Sequence, residues 1–211
     1  ILILGSFLVF VGVLFISSDY FNRIKEEVFN DMDILMFKDN SIDNEVIEDI
    51  PVVENVKEEV NNDVVVEDNS SEIKEEVINW DKYYGIIEIP RIGLKRGFYN
   101  LDSKYNNIEY NVTLVQGSSM PDVDKGNLIL MAHSGDSYIS YFAYLYRLGI
   151  GDYAYITYNG TKYKYNIVNI YDVEKKGTVE IVRDYDKTTL TLITCTKDND
   201  YSQTVYILEL V

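Results

Sequence analysis

Residues 152–174 read DYAYITYNGTKYKYNIVNIYDVE, two runs of alternating tyrosine and β-branched residues around Asn159-Gly160. An Asn-Gly pair tolerates the positive φ angles that both central residues of a two-residue hairpin turn need, and alternation with period two puts every second side chain on one face. The segment therefore predicts a β-hairpin. Neighbouring segments repeat this pattern. They are YGIIEI (84–89) stopped by Pro90, NVTLV (111–115), NLILMA (127–132), TVEIV (178–182), TTLTLITC (188–195) and QTVYILELV (203–211), separated by Gly, Asp and Asn turns. With the two runs of the hairpin this makes eight short strands. It predicts a mainly β domain, a closed antiparallel or mixed eight-stranded barrel. One stretch breaks the pattern: SYISYFAYLYRLG (137–149) spaces Tyr138, Tyr141, Phe142, Leu145 and Leu148 as one face of a helix ending on Gly149. A short helix packed on the barrel is expected there.

The chain before Trp80 is of another kind. Residues 1–17, ILILGSFLVFVGVLFIS, carry no charge; at about 1.5 Å per residue a helix of that length spans about 26 Å, close to a bilayer core. The expectation is a single-pass signal anchor that is not removed, with a cleaved signal or a buried helix as the competing readings. Residues 18–79 hold 19 acidic and 5 basic side chains, which is 14 of the chain's net 16 negative charges. Their valines follow no sustained period, so we expect an acidic, largely disordered spacer, with a short juxtamembrane helix over 22–37. Residues 80–211 then form the folded domain, nearly neutral and large enough to bury a core. The absence of a basic face excludes nucleic acid as a partner. No acidic residue stands out as a metal ligand, and no metal or other cofactor is expected.

Chemistry narrows to two residues. Cys195 is the only cysteine and His133 the only histidine. Each ends a predicted strand: Leu190 and Leu192 fall on one face of TTLTLITC and Thr191, Ile193 and Cys195 on the other. A thiol and an imidazole are the minimal nucleophile and proton carrier. From composition alone, a buried apolar cysteine and an unrelated surface histidine are the commoner case, and the catalytic pairing stays open beside it.

Several stretches in order resemble a known family. TLITC (191–195) followed by a polar loop and a last strand, GNLILMAHSG (126–135), YGIIEIPRIGL (84–94) and LGIGDYAYITYNGTKYKYNIVNIYDVE (148–174) are together similar to the sortases, membrane-anchored cysteine transpeptidases of Gram-positive surfaces. The resemblance covers nearly all of 80–211. It implies a sortase-like β-barrel with one or two short helices, Cys195 as nucleophile and His133 as its partner, and substrate-binding positions at Thr194, Ser134 and Thr204. It further implies cleavage of a C-terminal sorting motif of the LPxTG kind through a Cys195 thioester, then transfer to a peptidoglycan or pilin amine. Its catalytic domain would lie outside the cell membrane. The family's third site residue is an arginine opening the last strand, and here that position is Gln203; no arginine follows Cys195 in the chain. The resemblance implies that Gln203 takes a weakened form of that role, with Lys197, Arg147 or Arg183 as other sources of charge. A thiol hydrolase, or a catalytically impaired binding module on the same scaffold, are the alternatives.

Overall fold

The structure, a computed structural model, describes residues 2–42 and 82–211, and only part of the side chains in the first of these segments. Helix α1 spans Leu2–Ile42. It covers the stretch expected as a membrane anchor and runs on through the expected juxtamembrane helix, so residues 18–42 of the expected 18–79 spacer are helical; its remainder, 43–79, and residues 80 and 81 lie outside the described residues. Most side chains of residues 1–17 are likewise outside them, and among the described residues no helix is long and apolar enough to cross a membrane.

Eight strands follow: β1 (Gly85–Ile89), β2 (Leu94–Phe98), β3 (Thr113–Leu114), β4 (Asn127–Met131), β5 (Tyr153–Tyr158), β6 (Thr161–Glu174), β7 (Thr189–Cys195) and β8 (Ser202–Leu210). They form one sheet in the order β2-β1-β5-β6-β8-β7-β4-β3. A parallel bridge between Phe98 and Val112 joins its two ends, so the sheet is a nearly closed barrel. All named pairs are antiparallel except β4 with β7. The Asn-Gly hairpin is β5–β6, and its turn has φ of 46° at Asn159 and 73° at Gly160, the two positive angles that the dipeptide anticipates. Strand β6 is long enough to pair β5 with its first half and β8 with its second, past a bulge between Ile167 and Asn169.

Two local expectations are corrected, and one strand is added. Residues 178–182 are not a strand: the Tyr171 hydroxyl accepts from Val182 N and donates to Glu180 O, so a side chain satisfies backbone that would otherwise join a ladder. Residues 137–149 are consecutive turns with a single 3-10 turn at Leu145–Arg147. Their backbone bonds close over three residues (Ala143 N to Ser140 O, Leu148 N to Leu145 O), and the Phe142 amide is drawn away to His133 O. The segment still buries Phe142, Leu145 and Leu148 as the helical spacing requires. Conversely LKRGF, whose alternation is hidden by Lys95, Arg96 and Gly97, is β2. It pairs β1 after the tight turn at Pro90–Ile92, and Gly97 is needed because a Cβ there would overlap the Tyr83 ring.

The barrel interior is one cluster that includes Ile87, Phe98, Leu130, Phe142, Leu190 and Leu192. The outer face of β4, β7 and β8 carries a second, of Ile129, Ile193, Val205 and Ile207, covered by Val179 and Ile181. A third lies under α1, where Ile34 meets Tyr83, Ile86 and Tyr99. Polar bonds fix the same helix face: Asn30 Nδ2 donates to Lys95 O at 3.2 Å and its Oδ1 accepts from the Tyr83 hydroxyl at 3.1 Å. Glu26, Asn30 and Ile34 recur at helical spacing, so the docked face is one stripe.

Candidate active site

The parallel pairing of β4 with β7 aligns Met131 with Ile193. Two residues further along each strand stand His133 and Cys195. Three bonds carry the alignment past the end of the ladder: Ala132 N to Ile193 O at 3.4 Å, Thr194 Oγ1 to Ala132 O at 2.8 Å, and Ser134 Oγ to Cys195 O at 2.8 Å. The chain's one thiol and one imidazole thus leave the barrel side by side, on exits that each need the other's hydrogen bonds. As alternation requires, Leu190 and Leu192 face the interior while Ile193 joins the outer cluster.

Cys195 is a half-buried free thiol. It shares a cleft of about 870 Å³ with His133, Ser134, Lys197 and Arg23. Among the described residues no hydrogen bond joins Sγ to the imidazole; His133 Nε2 instead lies 3.4 Å from Glu109 Oε1. Behind the thiol a much smaller hollow is bordered by Thr194, Thr204 and Tyr206. There Thr204 Oγ1 donates to Asp172 Oδ1 at 2.7 Å and lies 3.0 Å from Thr196 Oγ1, a polar seal at the barrel mouth.

Gln203 is the direct ladder partner of Cys195, half-buried, and is not among the residues lining the cleft. Of the cations weighed from sequence, Lys197 lines the cleft with its ammonium 3.9 Å from the Tyr146 ring centroid. Arg147 stacks on Tyr144 at 4.3 Å and donates to the Tyr146 hydroxyl, a bond that pulls that exposed phenol below its usual range. Arg183 is at the other end of the barrel, bonded to Lys125 O and Lys187 O beside Thr189, where β7 begins. Two contributors escape the sequence reading. Arg23 sits one helical turn before Glu26, extending the docked stripe of α1 over the cleft; the heptad-like spacing 23, 26, 30, 34 carried that signal. Glu109, in the loop before β3, had none. Among the described residues no group of His, Cys, Asp and Glu is arranged to hold a metal ion.

Residues 87–209 match the family model described as Sortase domain. Among solved structures the chain is similar to a lid mutant of sortase A from Corynebacterium diphtheriae, at 26% identity over 61% of this chain and 70% of that one, with a TM-score of 0.54. It is also similar to sortase C1 from Streptococcus agalactiae (26% identity, 61% and 67% covered, TM-score 0.52). Sortase C-1 from Actinomyces oris gives 25% identity, 61% and 74% covered, and a TM-score of 0.52. No curated protein matches the chain. With more than half of its residues inside the family's domain and its strands closed into the same barrel, the chain belongs to the sortase family of cysteine transpeptidases.

Proposed function

We propose that the protein is an envelope-anchored transpeptidase in which Cys195 attacks a sorting motif of the LPxTG kind and His133 moves the protons. The observation that carries this reading is the parallel exit of β4 and β7, which delivers the only histidine and the only cysteine into one cleft. In the first half-reaction the Cys195 thiolate adds to the scissile carbonyl, the C–N bond breaks, and His133 protonates the departing amine. A thioester on Cys195 remains. In the second, an amine of peptidoglycan or of a pilin lysine takes the acyl group. Thr194 and Ser134 hold the two exits in register through their bonds to Ala132 O and Cys195 O, and Thr204 borders the substrate from the barrel mouth. Gln203 offers the oxyanion a neutral amide where a guanidinium would offer charge. Arg23 and Lys197, which line the cleft, supply the positive charge instead. Residues 1–17 tether the domain to the outer face of the cell membrane, where substrate and acceptor both lie.

A second reading is favoured by Gln203 alone: a binding module that holds the sorting peptide without cleaving it, since loss of one oxyanion donor costs about 10² to 10³ in rate. One experiment separates the two. The protein is incubated with a library of sorting-type peptides and its intact mass followed. A peptide adduct present in the native chain and absent from Cys195→Ala is the expected result; binding without an adduct across the library overturns the transpeptidase reading.

A further inference from the structure

A second cavity, of about 800 Å³, lies between α1, β2 and the loop before β3, and it borders the thiol cleft at Tyr138. Tyr138 lines both spaces, and Glu109, which lines this one, holds its carboxylate 3.4 Å from His133 Nε2. Through Glu109 the lining of this cavity thus reaches the imidazole, which itself lines the thiol cleft. Its walls are phenol rings: Tyr99, Tyr105, Tyr110 and Tyr138, with Tyr110 60% exposed. The floor holds Arg96, whose charge is already engaged. Its side chain is only 8% exposed, Nε donates to Asn111 Oδ1 at 2.7 Å, Nη2 pairs with Glu26 at 3.3 Å, and the guanidinium lies 4.2 Å from the Tyr141 ring centroid. Both cations that line the cavity, Arg96 and Lys104, lie on tyrosine rings, and an incoming cation finds further ring faces and the Glu109 carboxylate, itself 64% exposed. The chain shows the preference itself, for the Lys104 ammonium rests 4.8 Å from the centroid of Tyr105.

We infer that this tyrosine-walled cavity is the acceptor site, which binds the primary ammonium that resolves the Cys195 thioester. The inference rests on the transpeptidase reading above and names where its second substrate enters. The amine is captured as an ammonium against Tyr110 and Glu109, and loses one proton through the exposed Glu109 to solvent. Its nitrogen then attacks the thioester carbonyl and gives a second proton to neutral His133. The C–N bond forms, the C–S bond breaks with its electron pair on Cys195 Sγ, and the thiolate and imidazolium are restored as the amide leaves.

The test reads the fate of the thioester. The whole chain in detergent micelles is given an adduct-forming peptide and increasing triglycine amide or Nα-acetyl-lysine amide, and the ratio of amide product to free acid is followed. That ratio is set after the thioester exists, so it reports the second step whatever a substitution does to the first. Glu109→Gln and Tyr110→Ala should each raise the amine concentration needed for half-diversion about fivefold to tenfold, the size of one exposed cation–π or ion-pair contact. Unchanged half-diversion in both variants, or a native thioester that no amine diverts, overturns the acceptor site while leaving the thiol chemistry standing. Binding is read separately in Cys195→Ala, which forms no thioester. Nα-acetyl-lysine amide should shift the NMR ring resonances of Tyr110 and Tyr138 and leave those of Tyr185 in place, and no shift at saturating amine overturns the site even if no adduct ever forms.

Discussion

The two spaces joined by Tyr138 and by the Glu109–His133 contact are built by different means. The thiol cleft is made by the exits of two parallel strands, and its walls are hydroxyls, carboxylates and lysines. The tyrosine cavity is made by a helix laid across β2, and it exists only while Glu26, Asn30 and Ile34 stay docked. Apart from Arg23, which α1 brings over it, the thiol cleft is therefore as stable as the barrel, while the tyrosine cavity is as stable as a single helix stripe. On the proposed mechanism, bond cleavage and acyl transfer can then be damaged to different degrees, although one imidazole serves both.

The most severe way to probe that division is Cys195→Ala, which should abolish every covalent adduct and leave the tyrosine cavity intact, as intact mass and amine-induced ring shifts would report. Next, His133→Gln should lower both half-reactions together by about 10² to 10⁴ in single-turnover rate, because on the proposed mechanism proton transfer to and from the amines passes through it. If only one half-reaction slowed, the shared imidazole would be the wrong link. A smaller effect is expected of Ile34→Ala. Losing the buried branch should weaken α1 docking by about 2 kcal/mol, roughly 30-fold in the docked fraction's equilibrium. Hydrogen exchange would then quicken in β2, and acyl transfer would suffer more than adduct formation. Gln203→Arg should act in the opposite sense and on the other space, raising adduct formation about tenfold while leaving the amine dependence alone. A rate that did not rise would assign the positive charge wholly to Arg23 and Lys197.

The mildest contrast is in alkali. Burial pushes the Tyr83 phenol, under α1, up to about 12 from 10.0, and burial likewise pushes Tyr141, stacked on Arg96, to about 12. In the cleft, Tyr146 is drawn downward by its bond from Arg147. Phenolate absorbance should show Tyr146 ionising first and those two well after it, with the still more strongly raised Tyr99, Tyr158 and Tyr165 last. The folded chain keeps protons on Tyr83 and Tyr141 that the unfolded chain releases, so their contribution to stability is complete below about pH 10 and declines as pH rises toward 12. Thermal melts across that window should fall, with helix docking lost before the barrel.

Much of the fold is legible in the chain. Asn159-Gly160 and its flanking runs identify the central hairpin, and period-two alternation places Leu190 and Leu192 inward and Ile193 outward. What alternation cannot reveal is pairing at a distance. Nothing in the spacing of His133 and Cys195 says that β4 and β7 lie side by side in parallel, and it is that register which brings the two residues together. TVEIV has the composition of a strand and is held as a loop by one phenol, Tyr171, a tertiary contact invisible to local pattern. LKRGF has the composition of a charged loop, yet β2 forms because Arg96 finds Glu26 and Asn111 inside the fold. Arg23 is visible as a charge and lacks only the helix that carries it over the cleft.

The parallel β4–β7 pair also has a kinetic consequence. The hairpins β1–β2, β5–β6 and β7–β8 join neighbours in sequence, whereas the Thr194 to Ala132 bond spans 62 residues. Closing so long a loop is entropically slow, so the exits meet after the hairpins have formed. A chain still on its way to the native state carries a cysteine with no imidazole beside it. Thiol reactivity coupled to His133 is then a clock for the final closure of the barrel, and the thiol has no imidazole beside it until that closure is complete.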